Sequence, residues 1–480
     1  MPTFSNTGST SGAKYDLATN TSKIHYLLPA SNVKAPLCAA AASALANRYP
    51  APVVVGYKGQ GEFDAHAAHI AKLRVIARYL HQFKDEASAH DLVLVVDGFD
   101  VLAQAPAEHM IEQYFRVMAE KDQLLADRFG ISVEEAHAHG LRQTLLWGTD
   151  KGCFPSRRDE PQCWLIPDSN LGRYVMGPKT GRDHQNDLPF SDSKYLNSGT
   201  VMGPLGDLRL LIDDVLSFIN ATWTEDNQYR NSDQLYISKT YARQEYSRLM
   251  DLTDGKYKGP EGHKMPDLSV YNPENHEFHI TVDFDATFTM TQCHNERFIH
   301  KLKYDGLANK AHVGEDHMEE GETFMPYDIG MPSSLYMGLE RLRNAYSGKS
   351  PEEQGEDARH WIRSLHIGTN IATRKQYAFY HNTCDKSNFV KRFRESWFWP
   401  DIKPLLRAAV KAIQADEPIN ERPLDGRMWK PISQYPKAGP GDEYGGIYTD
   451  FPGEEYVPFS EFCKESLGEV LEEPKPKNTE

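Results

Sequence analysis

Along the first hundred or so residues the apolar positions follow two alternating rhythms. Ile24-His-Tyr-Leu-Leu28, Pro52-Val-Val-Val55 and Leu92-Val-Leu-Val-Val96 are short, nearly uninterrupted apolar runs. Runs of this kind mark strands buried on both faces, as in parallel sheets. Between them, residues 36–48 are Ala-rich with Pro36 placed for a first helical turn. Residues 63–83 carry Ile70, Leu73, Ile76 and Leu80 at helical spacing. Strand, helix, strand, helix, strand predicts an α/β fold with a doubly wound sheet, whose ligands gather at the carboxyl ends of the strands.

Further along, residues 107–126 read as a helix and Thr144-Leu-Leu-Trp147 as a strand. Residues 149–193, rich in Gly, Pro, Asp and Arg, read as a long irregular loop. A strand at 199–203, a helix at 205–219 and short strands at 269–271 and 278–282 follow. Residues 306–355 are expected as an insertion, opening on a polar stretch at 306–322. Trp361-Ile-Arg-Ser-Leu365 reads as a late strand, and residues 388–398 and 403–414 as helices. The expected organisation is a disordered segment at 1–22, one domain over 23–415 and a Pro/Gly/Glu-rich tail over 416–480.

Lys and Arg total 53 against 68 Asp and Glu, a formal charge of −15. A nucleic-acid binder usually carries a basic face to displace phosphate counterions, so that class is disfavoured. No run approaches the ~20 apolar residues of a membrane span, and the polar opening residues hold no signal-like apolar segment. Six cysteines in 480 residues are too few for a disulfide scaffold. Cys153 and Cys163 nonetheless bracket a loop short enough to be bridged in an oxidising compartment.

The sharpest chemical signal is Val95-Val-Asp97-Gly-Phe-Asp100. Two carboxylates at the carboxyl end of an apolar strand suit a hard divalent cation such as Mn²⁺ or Mg²⁺; the plainer reading is a pair of turn caps. Gly56-Tyr-Lys-Gly-Gln-Gly61 is Gly-rich without matching a Rossmann or P-loop fingerprint. Lys72 sits on the following helix, where a solvated face is the ordinary reading. Tyr195-Leu-Asn197-Ser-Gly199 and Ser232-Asp233-Gln234 offer hydrogen-bonding side chains suited to sugar hydroxyls, or merely a helix cap. His366-Ile-Gly368-Thr-Asn370 follows the late apolar run, with Arg374 and Lys375 behind it.

Taken in order, these motifs resemble a metal-dependent nucleotide-sugar transferase of the GT-A type. In particular the set is similar to the glycosyltransferase domain of procollagen lysyl hydroxylases and related fungal proteins, over roughly residues 23–375. The resemblance implies a GT-A-like, Rossmann-type mixed sheet flanked by helices, with irregular insertions. It implies a hexose transferred from a UDP-sugar, with Mn²⁺ or Mg²⁺, to a protein or glycan acceptor. Asp97, Asp100 and His366 fall at the positions of its metal ligands. Phe99 falls where an aromatic meets uracil, with Gly98 beside it, and Lys72 falls on the donor-binding lysine. Gly368 and Lys375 match a diphosphate-contacting turn, although the expected His-Gly-Asn-Gly is not reproduced here. Asn197, Asp233 and Gln234 match sugar- and acceptor-side residues. Members of that family work in the secretory pathway, whereas no leader is legible in this sequence, so the compartment stays open. No His-x-Asp pair exists among the 19 histidines, so no iron centre of the two-His, one-carboxylate type is expected.

Two rival readings stand beside this one. His279-Ile-Thr-Val-Asp283-Phe-Asp285-Ala-Thr287 has the Asp-x-Asp-x-Thr pattern of phosphohydrolases with an aspartyl nucleophile, Asp283 attacking and Asp285 acting as acid and base. The other is a transferase-like fold kept as a non-catalytic sugar-binding module.

Overall fold

The computed structural model describes residues 20–59, 69–172, 174–177, 188–266, 277–436 and 442–472. Strands β1 (Thr21–Pro29), β2 (Val53–Val55) and β3 (Leu92–Val96) run parallel, with β1 between the other two. After β3 the chain turns through Asp97–Asp100 into β4 (Val101–Ala103). β5 (Leu145–Asp150) and β6 (Tyr195–Pro204) come next, and β6 lies antiparallel between β3 and β5. β7 (Ile280–Val282) closes that side of the sheet, parallel to β5.

The remaining strands are β8 (Thr289–Thr291), β9 (Ile299–Lys303), β10 (Lys310–Val313), β11 (Tyr327–Gly330), β12 (His366–Asn370), β13 (Phe379–His381), β14 (Met428–Pro431), β15 (Gly446–Thr449) and β16 (Tyr456–Pro458). The main sheet has the order β16-β15-β2-β1-β3-β6-β5-β7, with β14 also paired to β1. Three smaller sheets stand beside it: β4-β13-β8, the hairpin β10-β11 and the pair β9-β12. The molecule is thus a mixed α/β protein with a large central sheet compatible with a Rossmann-like architecture.

Strand alternation explains why both faces are covered. On β3, Leu92, Leu94 and Val96 join one apolar core while Val93 and Val95 join the other. The first core receives the helices Ala35–Ala46, Ala107–Phe129 and Ile402–Gln414. The second receives Ile70–Leu80, Leu205–Thr222 and Asp233–Leu252. No described helix is long and apolar enough to cross a membrane.

Three expectations need correction. The described residues of 416–472 are not a tail but supply strands β14, β15 and β16 to the sheet. β14 pairs with Thr21–Ile24 of β1, just upstream of the stretch that pairs with β2, and β15 pairs with β2 itself. A disulfide from Cys463 to Cys38 ties this segment to the Ala-rich helix. Asp450 accepts hydrogen bonds from the Gly56 and Tyr57 amides at 2.8 and 3.1 Å, so the start of the Gly-rich loop is held by a carboxylate of this chain. Second, Trp361–Ser364 ends the helix Pro351–Ser364, and the strand begins only at His366. A five-residue apolar run cannot by itself distinguish helix from strand. Third, residues 306–355 are built into the fold: Leu335, Leu339 and Leu342 of the helix Ser333–Asn344 are buried in the first core. Within 63–83 the described helix is Ile70–Leu80, and residues 269–271 lie outside the described residues.

Truncation after Ala415 is expected to abolish cooperative unfolding, because it removes β14, β15 and one end of the Cys38–Cys463 bridge. The milder Cys463→Ser variant should lose about 2–5 kcal/mol, the range for a native cross-link closing a long loop. Circular-dichroism melting checks both, and an unchanged midpoint in the truncated chain would contradict this account.

Candidate metal centre

The apolar run of β3 ends where its backbone reaches the rim of the sheet, and there the sequence switches to Asp97-Gly-Phe-Asp100. The Asp97 amide still donates to the Gly199 carbonyl of β6 at 2.8 Å, which fixes the start of the turn. Gly98 is close-packed: a Cβ there would stand 2.9 Å from Leu37 Cδ1. The chain then enters β4, which pairs antiparallel with β13. In that register His381 lies opposite Val101, one residue beyond Asp100. The Asn382 amide donates to the Asp100 carbonyl at 2.7 Å and secures the alignment.

The result is a group of Asp97, Asp100 and His381 whose candidate ligand atoms all lie within 4.8 Å of one another. This arrangement could bind a divalent metal ion. Asp100 and His381 are buried while Asp97 is partly open. His381 Nε2 stands 3.5 Å from Asp100 Oδ2, and its Nδ1 is buried with no hydrogen-bond partner among the described residues. Two carboxylates and an imidazole offer hard oxygen and borderline nitrogen ligands to a divalent cation. Gly199 makes room for the ring: a Cβ on it would fall 2.2 Å from His381 Cε1.

His366 is therefore not the imidazole of this centre. It is exposed at the first position of β12, opposite Lys303 of β9. Gly368 lies inside the same strand rather than in a diphosphate-binding turn, and its missing side chain accommodates the Tyr377 ring, whose hydroxyl would be 2.4 Å from a Cβ. Lys375 pairs with Asp285 at 3.5 Å, not with the acids of the turn.

Cations offset the buried acids. Lys72 is 8% exposed, not on a solvated face. Its Nζ lies 2.6 Å from Asp97 Oδ1, 2.9 Å from the Ser198 carbonyl and 3.2 Å from Asp233 Oδ2. Burial works against its charge, but Asp97 and Asp233 outweigh that and raise its pKa. Lys386, five residues after His381, stands 2.6 Å from Asp100 Oδ2. For Asp100, burial opposes ionisation, yet His381 and Lys386 hold its pKa down to about 2. Asp97 moves upward, through its own burial and the charge of Asp100, with Lys72 pulling the other way. Burial disfavours the His381 imidazolium, but Asp100 raises its pKa above the ordinary value.

A second ring of polar groups surrounds the acids. Asp233 opens the helix Asp233–Leu252, which Ser232 caps through the Leu235 amide at 3.3 Å. Gln234 accepts from the Ser198 amide at 3.2 Å and donates to the Phe154 carbonyl at 2.7 Å. Asn197 donates to Asp150 Oδ2 at 2.8 Å while its own oxygen accepts from the Gly199 amide at 2.9 Å. Asp150, at the end of β5, has a raised pKa through burial, with Asn197 opposing. Phe99 is half-buried against the first core.

Sequence reasoning missed His381, Lys386, Asp150 and Asp450. The aromatic run Tyr377-Ala-Phe-Tyr380 before His381 was the available signal for a strand ending in a ligand. The turn after it is tied down by a Cys293–Cys384 disulfide; a Cys153–Cys163 bridge also forms, so all six cysteines are paired.

The Asp-x-Asp-x-Thr stretch is structural. Asp283 is wholly buried and accepts from the amides of Thr287, Phe288 and Thr289 at 3.2, 2.7 and 2.9 Å. Both oxygens accept hydrogen bonds from backbone amides that shape the loop into β8. Asp283→Ala is expected to cost about 2–4 kcal/mol, as several amides lose an acceptor at once, read as a lower urea midpoint. A variant of native stability would revive the nucleophile reading.

A cation competes with the proton for His381. Because Asp100 raises the imidazole pKa, divalent-ion affinity should climb as pH rises through and above the usual histidine range near 6.5. The cation-free protein should behave oppositely. The stability that imidazolium contributes is whole below the unfolded value and is lost as pH rises through the raised folded value. Mn²⁺ titration and melting curves across roughly pH 5.5–8.5, the span around the histidine range, check both signs, and His381→Asn should flatten them.

No protein-family model matches this chain, and no curated protein matches it.

Proposed function

We propose that the protein is a metal-dependent glycosyltransferase that moves a hexose from a UDP-sugar to a protein or glycan acceptor. The observation that carries this reading is the convergence of Asp97, Asp100 and His381 at one rim of the central sheet. Three of the motifs singled out in the sequence, the Asp97–Asp100 turn, Tyr195–Gly199 and Asp233-Gln234, meet around that point, whereas His366–Asn370 lies elsewhere. Lys72 contacts both the Asp97 turn and Asp233, and Gln234 contacts Ser198 of the Tyr-Leu-Asn-Ser-Gly strand. The mixed sheet is of the kind expected for a GT-A-like fold.

Asp97, Asp100 and His381 would hold Mn²⁺ or Mg²⁺, which supplies Lewis-acid neutralisation of a diphosphate leaving group. The chain's own residues do the rest. Lys72 holds Asp97 ionised and oriented and spaces it from Asp233. Lys386, whose side chain is 60% exposed, is the basic residue placed to leave Asp100 and meet a diphosphate, the part first assigned to Lys375. Asp233, Asn197 and Gln234 line the rim with acceptors and donors matched to sugar hydroxyls, and Phe99 offers a ring beside the turn. Asp150, next to Asn197, adds a further carboxylate on the same rim.

The three disulfides, one of them joining positions 425 residues apart, favour folding in an oxidising compartment. That fits the secretory location that the resemblance implies. The phosphohydrolase reading has no comparable support, since Asp283 serves the backbone.

Isothermal titration of UDP should show binding that depends on Mn²⁺. Asp97→Asn and His381→Ala should each weaken it about 100-fold or more, the loss of roughly 3 kcal/mol, whereas His366→Ala should leave it unchanged. A UDP-hexose hydrolysis panel identifies the donor. Equal UDP affinity with and without Mn²⁺ would remove the basis for the reading, and glycan binding without any turnover would favour the sugar-binding module.

A further inference from the structure

β13 separates two sites. Neighbouring side chains on a strand point to opposite faces, so His381 faces the acids while Tyr380 faces the other way. On that reverse side lies a cavity of about 320 Å³, bounded by Tyr377, Tyr380, Gln104, Gln292 and Arg392. The size falls at the small end of ligand pockets. The link to the metal centre is direct, because the Gln292 amide donates to the His381 carbonyl at 2.9 Å.

The cavity wall is built with open hydrogen-bonding valences. Tyr380 donates to Gln292 Oε1 at 2.8 Å, which fixes that amide and leaves its nitrogen without a partner among the described residues. The Gln104 side-chain nitrogen donates to Ser396 Oγ at 3.0 Å, leaving its side-chain oxygen Oε1 similarly open among the described residues. Arg392 Nε is buried with no hydrogen-bond partner among the described residues, while its Nη1 donates to Glu395 at 3.4 Å. The Tyr377 and Tyr380 rings stand 6.3 Å apart at 35°. Both glutamines and both tyrosines are under one-tenth exposed.

The chemistry of the lining narrows the ligand. Lys301 and Arg392 are balanced by Glu296 and Glu395, so an anion would meet as many carboxylates as cations. An apolar ligand would strand the amides and the guanidinium, at about 1–3 kcal/mol for each buried group. Aromatic surface combined with converging donors and acceptors at balanced charge suits a neutral polyhydroxylated molecule. We propose that this cavity is a saccharide-binding site distinct from the metal centre. It does not rest on the transferase reading, since nothing in it requires a nucleotide or a cation.

The test is ligand-observed NMR and isothermal titration of the full chain with glucose, galactose, mannose, lactose, maltose and cellobiose, in the absence of Mn²⁺. At least one sugar should bind saturably, and Asp97→Asn should leave that binding intact. Gln292→Leu and Arg392→Gln should each weaken it about tenfold, the scale of one lost polar contact. Gln292→Leu removes one of the two acceptors of the Tyr380 hydroxyl, the other being Asn382 Oδ1 at 3.2 Å, so the half-exposed Arg392→Gln serves as the second variant, with melting curves confirming that both are folded. No saturable binding by any of the sugars overturns the proposal. So does binding that Asp97→Asn abolishes, binding indifferent to both cavity variants, or a cavity that takes inorganic phosphate instead.

Discussion

The structure turns on placing three carboxylates, Asp97, Asp100 and Asp233, at one buried rim. Two unit charges 4–5 Å apart at an effective dielectric near 20 repel by roughly 3–4 kcal/mol. That is a large part of the ~5–15 kcal/mol that holds an average domain together. Lys72 and Lys386 supply two positive charges, and a protonated His381 would supply a third. Even with the imidazole charged, Asp150 on the same rim leaves negative charge in excess when all four carboxylates are ionised. The rim is therefore assembled so that positive charge is wanted there, and the chain provides it from two regions distant in sequence, Lys72 and His381–Lys386.

This dependence explains which features were legible in the sequence. β1, β2 and β3 are buried on both faces, so their apolar runs carry the information locally, and the Asp97–Asp100 turn was visible as the point where such a run stops. β14 and β15 were hidden because Met428-Trp-Lys-Pro431 and Gly446-Ile-Tyr-Thr449 are short and set among Pro, Gly and Glu. Their strand character comes from the partners β1 and β2, not from their own propensity. Composition alone read the segment as a tail.

The two histidines show the same limit more sharply. His366 and His381 each stand at the end of an apolar stretch, and each has a basic residue some way behind. Local pattern cannot choose between them. The choice is made by pairing: β12 joins β9, which leads His366 to solvent, whereas β13 joins β4 and so delivers His381 beside Asp100. A contact between positions 281 residues apart in register terms (Val101 against His381 is one closer) is invisible to any window that slides along the chain. Gly199 is the complement of this pairing. In sequence it is merely a small residue after Asn-Ser, and its purpose becomes readable only when the imidazole is seen to occupy the space of its absent Cβ.

His381 thus stands in a strand pinned on both sides by β4 and β8, backed by Gln292 and followed by a disulfide-anchored turn. Ligands held on such rigid elements keep their geometry without the ion, which lowers the ordering cost when one arrives. Lys386 is the exception, a long exposed side chain on the far side of that anchored turn. In this rim Asp97, Asp100 and the imidazole stand on paired strands or at their ends, while the cation that pairs with Asp100 at 2.6 Å is a long, exposed side chain. On the proposed reading the fixed groups would set the position of a cation, and Lys386 would give up Asp100 to it and turn to an incoming anion. The exposed Lys386 can make that exchange without disturbing the buried core, whereas the buried Lys72 cannot leave its two carboxylates so easily.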